Sequence, residues 1–200
     1  MKTLLVLLAI GILSVNAFAQ NVQPIAIGTP LPMAGTKMKA TDGKEYSIKD
    51  ALLKNGVLVM FSCNTCPYVI RYQGRTLAVI KEAKEKGIGV IIINSNATAR
   101  DDEDSYPAMQ EYGKAQGYKD VRYVVDDNSV VANAFGATRT PECFLFNAAG
   151  KLVYHGAIDD NNVASQAKQN YAIKALDETS LGKEVTVKET RSVGCMIKRP

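Results

Sequence analysis

Two short apolar runs with a helical stretch between them constrain the fold more than any other feature of this sequence. Val57-Leu58-Val59-Met60-Phe61 and Ile88 to Ile93 are each the length and composition of a strand buried on both faces. Between them, Val69, Tyr72, Thr76, Leu77, Ile80 and Ala83 recur at three- and four-residue intervals, with lysines near the end and Gly87 as a cap. Strand, helix and strand in this order form a right-handed parallel unit.

The alternation continues. Ser105 to Gln116 reads as a helix, Val121 to Val125 as a strand, and Asn128 to Phe135 as a short helix stopped by Gly136. "CFLFN" and "KLVYH", separated by Ala148-Ala149-Gly150, read as a hairpin, and Val163 to Leu176 carries helical spacing again. Upstream, "MKATDGKEYSI" is a hairpin centred on Asp42-Gly43, and Ser47-x-x-Asp50 is a capping box for a short helix ending at Gly56. The sum is an α/β fold: a central mixed sheet flanked by helices, with an N-terminal β-hairpin extension. Asp101 to Asp104, Asp126-Asp127 and Asp159-Asp160 stand before helical patterns and are expected to cap and solvate helix starts. A calcium loop would need a more regular oxygen spacing and a Gly than the first of these offers.

Lys2, an uncharged run from Leu4 to Val15, and Ala17-Phe18-Ala19 have the layout of a secretory signal peptide, which places residues 1–19 outside the mature domain. The apolar run is short of the roughly 20 residues of a bilayer span, so no stable membrane anchor is expected. The remaining 181 residues of 200, from Gln20 to Pro200, fit one domain with a single substantial core. Export to the periplasm or beyond follows, and a monomer is expected. The formal charge is +4, or +3 without Lys2, with acidic and basic patches mixed, which gives no basis for nucleic-acid binding.

Four cysteines in an exported chain ordinarily read as structural disulfides. Cys63 and Cys66 in "FSCNTCPYV" do not fit that reading, because a disulfide closing two intervening residues removes little chain entropy and stabilises little. Such a pair is there to be opened. It lies where the first core strand hands over to a helix N-terminus, whose free N–H groups and dipole favour a thiolate and can lower a cysteine pKa from about 8.5 to about 3.5–7.5. If Pro67 is the first helical residue, Cys66 is the cap and the better-activated thiol; if the helix starts at Cys63, Pro67 falls in its fourth position and distorts the first turn. A zinc site would need four ligands, and there is one CxxC.

With "TRTPECFLF" downstream, CxxC at the end of a core strand resembles thioredoxin-like proteins. "CNTCPYV", "MQEYGKAQGY", "TPECFLFNAAGKLVYHGAIDDN" and "VGCMIK" are similar to the peroxiredoxin-like branch of the AhpC/TSA superfamily whose members carry CxxC. The resemblance runs over essentially the whole chain from residue 20. It implies a thioredoxin-like fold and a redox enzyme that exchanges disulfides, with Cys63 as nucleophile, Cys66 as resolving thiol, and Thr140 and a cis Pro141 guiding the partner chain. It implies no cofactor and no resident metal; the partners would be protein thiols or disulfides and an upstream redox partner.

Departures from the family pattern bear on the chemistry. The thioredoxin Trp-Cys-Gly-Pro-Cys signature is replaced by Ser62-Cys63-Asn64-Thr65-Cys66, and the buried Asp of the thioredoxin core strand is matched by Met60. Cys66-Pro67 also resembles the Cys-Pro of peroxiredoxins. That family has Thr or Ser three residues before its cysteine and Pro seven before, where this chain has Cys63 and Val59; its distal Arg aligns near Pro141, two residues from Arg139. Exported copper chaperones of the thioredoxin fold combine CxxxC with a loop His, whereas His155 ends the strand "KLVYH". Tyr68 belongs either to the rim of the site or to a packed helix face. For Cys143 and Cys195 three readings stay open: a structural Cys143–Cys195 disulfide, which the compartment favours; a third redox thiol serving Cys63 and Cys66; or a free packed thiol.

Overall fold

The computed structural model describes residues 22–118 and 120–200; the expected signal peptide, residues 1–19, lies outside them. Along the chain come β1 (Met38–Lys39), β2 (Glu45–Tyr46), α1 (Ile48–Ala51), β3 (Gly56–Ser62), α2 (Pro67–Glu85), β4 (Gly89–Asn94), α3 (Tyr106–Ala115) and β5 (Arg122–Val125). Then follow α4 (Val130–Phe135), β6 (Arg139–Thr140), β7 (Glu142–Asn147), β8 (Leu152–Gly156), α5 (Tyr171–Ser180) and β9 (Cys195–Met196).

Five strands form the central sheet in the order β5-β4-β3-β7-β8. β3, β4 and β5 run parallel, as the strand–helix–strand spacing requires, and β7 and β8 join antiparallel through the expected hairpin. The β1–β2 hairpin closes on Asp42-Gly43 with Met38 opposite Tyr46, and the Ser47–Asp50 capping box is made in both directions, although α1 stops at Ala51 rather than at Gly56, which opens β3 instead. This is the mixed, helix-flanked sheet with an N-terminal hairpin that the periodicity predicts.

β3 is buried along its whole length, and its two-residue alternation divides the core. Leu58 and Met60 pack with Tyr72, Val79, Ile80, Ala175 and Leu176 on the α2/α5 face. Val57, Val59 and Phe61 pack with Ile91, Ile93, Val131 and Phe135 on the other. There Phe61, Phe135 and Phe144 meet edge to face at ring separations of 5.3–5.6 Å. Each such side chain is worth about 1.5–3 kcal/mol of burial, so the strand that delivers the cysteines is the best-anchored element of the fold. Gly56 opens it because a Cβ there would meet the Phe146 carbonyl oxygen at 2.0 Å.

Three further expectations need correction. The last helix begins at Tyr171 rather than Val163: Val163 is 45% exposed, with no core to bury it, while Ala172, Ala175, Leu176 and Thr179 supply the apolar stripe. Asp104 does not solvate a helix start but is wholly buried, and Ser105 is the N-cap of α3. Asp159 is buried too, paired with Arg75 at 2.5 Å, and Asp160 holds loop amides of Lys168 and Gln169. Asp126 behaves as expected, accepting from the Val131 and Ala132 amides in the first turn of α4. Among the described residues no helix is long and apolar enough to cross a membrane.

Candidate active site

β3 ends at Ser62, and the next four residues turn its direction into α2. Pro67 is the first helical residue and Cys66 the N-cap, which decides the placement that the sequence leaves open. Cys66 therefore sits at the positive end of a 19-residue helix with no acidic residue in its first turn, where a thiolate is favoured once the sulfur is reduced. Cys63 lies inside the loop, 1% exposed. Burial pushes its thiol up, the Thr140 hydroxyl and the backbone N–H groups of Thr65 and Cys66 pull it down, the Asp104 carboxylate raises it further, and the net effect is upward.

The Thr140–Pro141 peptide bond is cis, as expected from the "TRTPECFLF" stretch. Thr140 touches both cysteines: its hydroxyl lies 3.4 Å from Cys63 Sγ and its carbonyl oxygen 3.4 Å from Cys66 Sγ. Pro141 joins β6 to β7 without demanding a ladder hydrogen bond it cannot give.

The expected Cys143–Cys195 disulfide is not formed. Cys66 is bonded instead to Cys195, 129 residues away, and Cys63 and Cys143 are free and buried. Register explains the difference. Cys143 stands opposite Met60 in the middle of the sheet, inside the α2/α5 core, where burial pushes its thiol up to about 12. Cys195 lies in β9, which pairs antiparallel with β6 so that Cys195 faces Thr140 and Met196 faces Arg139. The approach needs Gly194, because a Cβ there would lie 2.1 Å from the Thr140 carbonyl oxygen. Arg139 donates to the Gly194 carbonyl oxygen at 3.3 Å, so its guanidinium serves the C-terminal segment.

Two buried carboxylates hold this arrangement. Asp104 accepts from the Asn64 amide at 2.8 Å, from Asn94 Nδ2 at 2.7 Å and from Asn96 Nδ2 at 2.8 Å, which fixes the loop between the cysteines to the end of β4. Tyr123 donates to Asn64 Oδ1 at 2.7 Å, and Asn96 Oδ1 accepts from the Lys198 amide at 3.0 Å, tying the C-terminal segment to the same network. Glu142, directly after Pro141, accepts from the Thr138 and Arg139 amides at 2.7 and 2.9 Å and lies 2.8 Å from His155 Nε2. His155 is thus a strand residue engaged with a carboxylate, as its position in "KLVYH" implies. Tyr68 packs against the pair of cysteines, half-buried.

Sequence reading missed Asp104, Asn64, Asn96 and Glu142. One signal pointed to two of their partners: the polar run Asn94-Ser95-Asn96 follows a parallel core strand, the carboxyl end where α/β sheets place their sites. A cleft of about 140 Å³ opens beside the sulfurs between Thr65, Pro67, Cys195 and Met196; it is below the usual size of a small-molecule site of about 300 Å³ or more and suits an inserted side chain. Among the described residues no group of three metal-ligating side chains comes together.

Residues 26–172 match the Redoxin family. The chain belongs to that family. The fold of this redoxin is shared with a hypothetical protein of Sinorhizobium meliloti 1021, at 29% identity and a TM-score of 0.79 over 89% of this chain and 97% of the other. It is shared equally with an uncharacterized conserved protein of Geobacillus kaustophilus, at 29% identity and 0.80 over 88% and 93%. A putative thiol:disulfide interchange protein DsbE of Chlorobium tepidum, 17% identical, shares the architecture at 0.55 over 79% and 97%. No curated protein matches the chain significantly. This redoxin is therefore a thioredoxin-like protein of a redox enzyme family of AhpC/TSA type, a family of thiol–disulfide oxidoreductases and peroxidases, and its CxxC pair stands at the junction of β3 and α2.

Proposed function

We propose that this redoxin is an exported thiol–disulfide oxidoreductase that works through Cys63 and Cys66 without a cofactor. The observation that carries the reading is the convergence of both sulfurs on Thr140, next to a cis Pro141, with an extended segment paired to Thr140 and disulfide-bonded to Cys66. A cysteine-bearing strand laid along β6 in that manner is the arrangement that a protein disulfide would adopt during exchange, because main-chain pairing aligns the strand and brings its sulfur to the N-cap thiol. Thr140 and Pro141 then guide the partner chain, and the partners are protein thiols or disulfides together with an upstream redox partner. The signal-like segment at residues 2–19 and an intramolecular disulfide both favour an oxidising compartment, periplasmic or extracellular.

Peroxide reduction is the weaker reading. Three residues before Cys66, where a peroxidase would hold its hydroxyl donor, stands Cys63, and Arg139 is turned to the Gly194 carbonyl oxygen. The test is to equilibrate the mature protein with glutathione redox buffers, trap thiols, and locate the Cys63–Cys66 disulfide by peptide mapping. A reversible pair supports the reading. A potential near about −270 mV marks a reductant and one near about −120 mV an oxidant. Absence of any reversible Cys63–Cys66 disulfide, or rapid thiol-dependent peroxide consumption, overturns it.

A further inference from the structure

Three sulfurs meet at Thr140, and they differ in access. Cys63 and Cys66 are 1% and 4% exposed, whereas Cys195 is half-buried and its neighbours Val193 and Met196 are 46% and 69% exposed. The oxidised bond joins the outer sulfur to the middle one, and the innermost remains a thiol packed in the same cluster. A bond that served only to staple the C-terminal segment would gain nothing from a free cysteine beside it, since a neighbouring thiolate is the reagent that opens disulfides.

The segment carrying Cys195 is anchored independently of its sulfur. Ile197 is buried in the core and its amide donates to the Thr138 carbonyl oxygen; the Lys198 amide and carbonyl bond Asn96 Oδ1 and the Thr98 amide. Release of Cys195 therefore leaves its thiol tethered beside the site by Ile197 and Lys198, ready for the reverse step, while the two-residue β9 yields the Thr140 edge to a partner chain. Cys63 is held ready on the other side, its sulfur approached by the Thr65 and Cys66 N–H groups and the Thr140 hydroxyl, all donors that stabilise a thiolate as it forms.

We infer that Cys195 is a third redox thiol, the outward-facing sulfur of an internal relay that passes a disulfide between the protein surface and the buried Cys63–Cys66 pair. The inference rests on the oxidoreductase reading above. In the internal step the Cys63 thiol loses its proton and attacks Cys66 Sγ. The Cys63–Cys66 bond forms as the Cys66–Cys195 bond breaks, and Cys195 leaves as a thiolate that takes up a proton, so that no electrons are gained or lost. In the outer step, which starts from the reduced protein with Cys63, Cys66 and Cys195 all as thiols, the Cys195 thiolate attacks a partner protein's disulfide and releases one partner thiol. Cys66, as thiolate, then attacks Cys195 in the mixed disulfide, releases the second, and restores Cys66–Cys195. The partner disulfide has been reduced by two electrons and the relay oxidised by two. The internal step then moves the disulfide to Cys63–Cys66, and a dithiol of the upstream redox partner returns the two electrons and restores the three thiols, while the reverse sequence oxidises a partner dithiol.

The test uses mature wild-type protein and the variants Cys195→Ser and Cys63→Ser, each equilibrated in glutathione buffers, quenched by acid alkylation and mapped by mass spectrometry, with insulin disulfide reduction as the turnover assay. Wild type is expected to give both Cys66–Cys195 and Cys63–Cys66 peptides in a ratio independent of the starting redox state. Cys63→Ser is expected to freeze Cys66–Cys195, and Cys195→Ser to form Cys63–Cys66 alone and lose most insulin turnover. Equal turnover in Cys195→Ser and wild type, with Cys63–Cys66 still reversible in both, overturns the relay and leaves the oxidoreductase reading intact. Absence of Cys63–Cys66 in every protein, Cys195→Ser included, overturns both. Matching melting temperatures of the reduced proteins establish that the serine variants are folded, and Cys195→Ala repeats the turnover comparison if Cys195→Ser is not.

Discussion

Thr140 divides its two oxygens between two cysteines, and the loop carrying those cysteines hangs on one buried carboxylate. Asp104 has three donors aimed at it, from Asn64, Asn94 and Asn96, and its charge opposes ionisation of Cys63. Asp104→Asn removes that charge while keeping one acceptor oxygen. The Cys63 pKa falls, and at neutral pH the thiolate fraction rises tenfold for each unit of the fall. Alkylation of Cys63 at pH 7, with the Cys66–Cys195 bond intact, is therefore expected to be faster in the variant. The new Nδ2 group would confront the Asn96 donor, so the same variant should lose about 1–3 kcal/mol of stability to unmatched polar groups, read from urea unfolding. An unchanged alkylation rate would mean that Asp104 acts on the loop's shape and not on its charge.

At the scale of elements, β9 is two residues long and depends on close backbone approach to β6. Gly194→Val puts a branched side chain where even a Cβ lies 2.1 Å from the Thr140 carbonyl oxygen, so β9 should lift from β6. Oxidation of the reduced variant is expected to yield Cys63–Cys66 in place of Cys66–Cys195, scored by peptide mapping; retention of Cys66–Cys195 at the wild-type level would show that the anchor at Ile197 and Lys198 suffices. Elements of this kind separate what sequence reading reaches from what it does not. β3, α2 and β4 announce themselves through periods of two and of three to four, and the Cys66-Pro67 and Thr140-Pro141 pairs carry their own backbone rules. The β6–β9 pairing has no period to read, because two residues on each side are too few. Glu142 and Asp104 looked like ordinary strand and cap residues, since their partners come from segments that only the folded sheet brings together. Cys195 was legible as a third thiol but not in its pairing, which depends on where the C-terminal segment crosses the sheet.

For the whole molecule, the Cys66–Cys195 bond closes a loop of 129 residues, nearly two thirds of the chain. On the loop-closure model such a cross-link stabilises by about 5 kcal/mol, so reduction should lower the melting temperature by many degrees, while Cys63→Ser should leave the oxidised protein nearly as stable as wild type. A melting temperature insensitive to reductant would place the cross-link outside the cooperative core. Alkali should act through the buried acids. Burial raises the Cys143 thiol and the Tyr72 phenol each to about 12, from ordinary values of 9.0 and 10.0, and lifts Tyr123 and Tyr154 as well. Groups raised by folding contribute stability that is complete below their unfolded values and lost as pH climbs through their folded ones. Melting temperature should therefore hold to about pH 9 and fall steadily toward pH 12; a flat profile would show that these groups ionise without unfolding. The long loop also sets an order of events in biosynthesis. At about 5–20 residues per second, Cys66 leaves the ribosome on the order of ten seconds before Cys195 is made. Throughout that interval its nearest sulfur is Cys63, so a nascent chain meeting an oxidant first closes the short ring, and the bond to β9 arises afterwards by exchange within the finished fold.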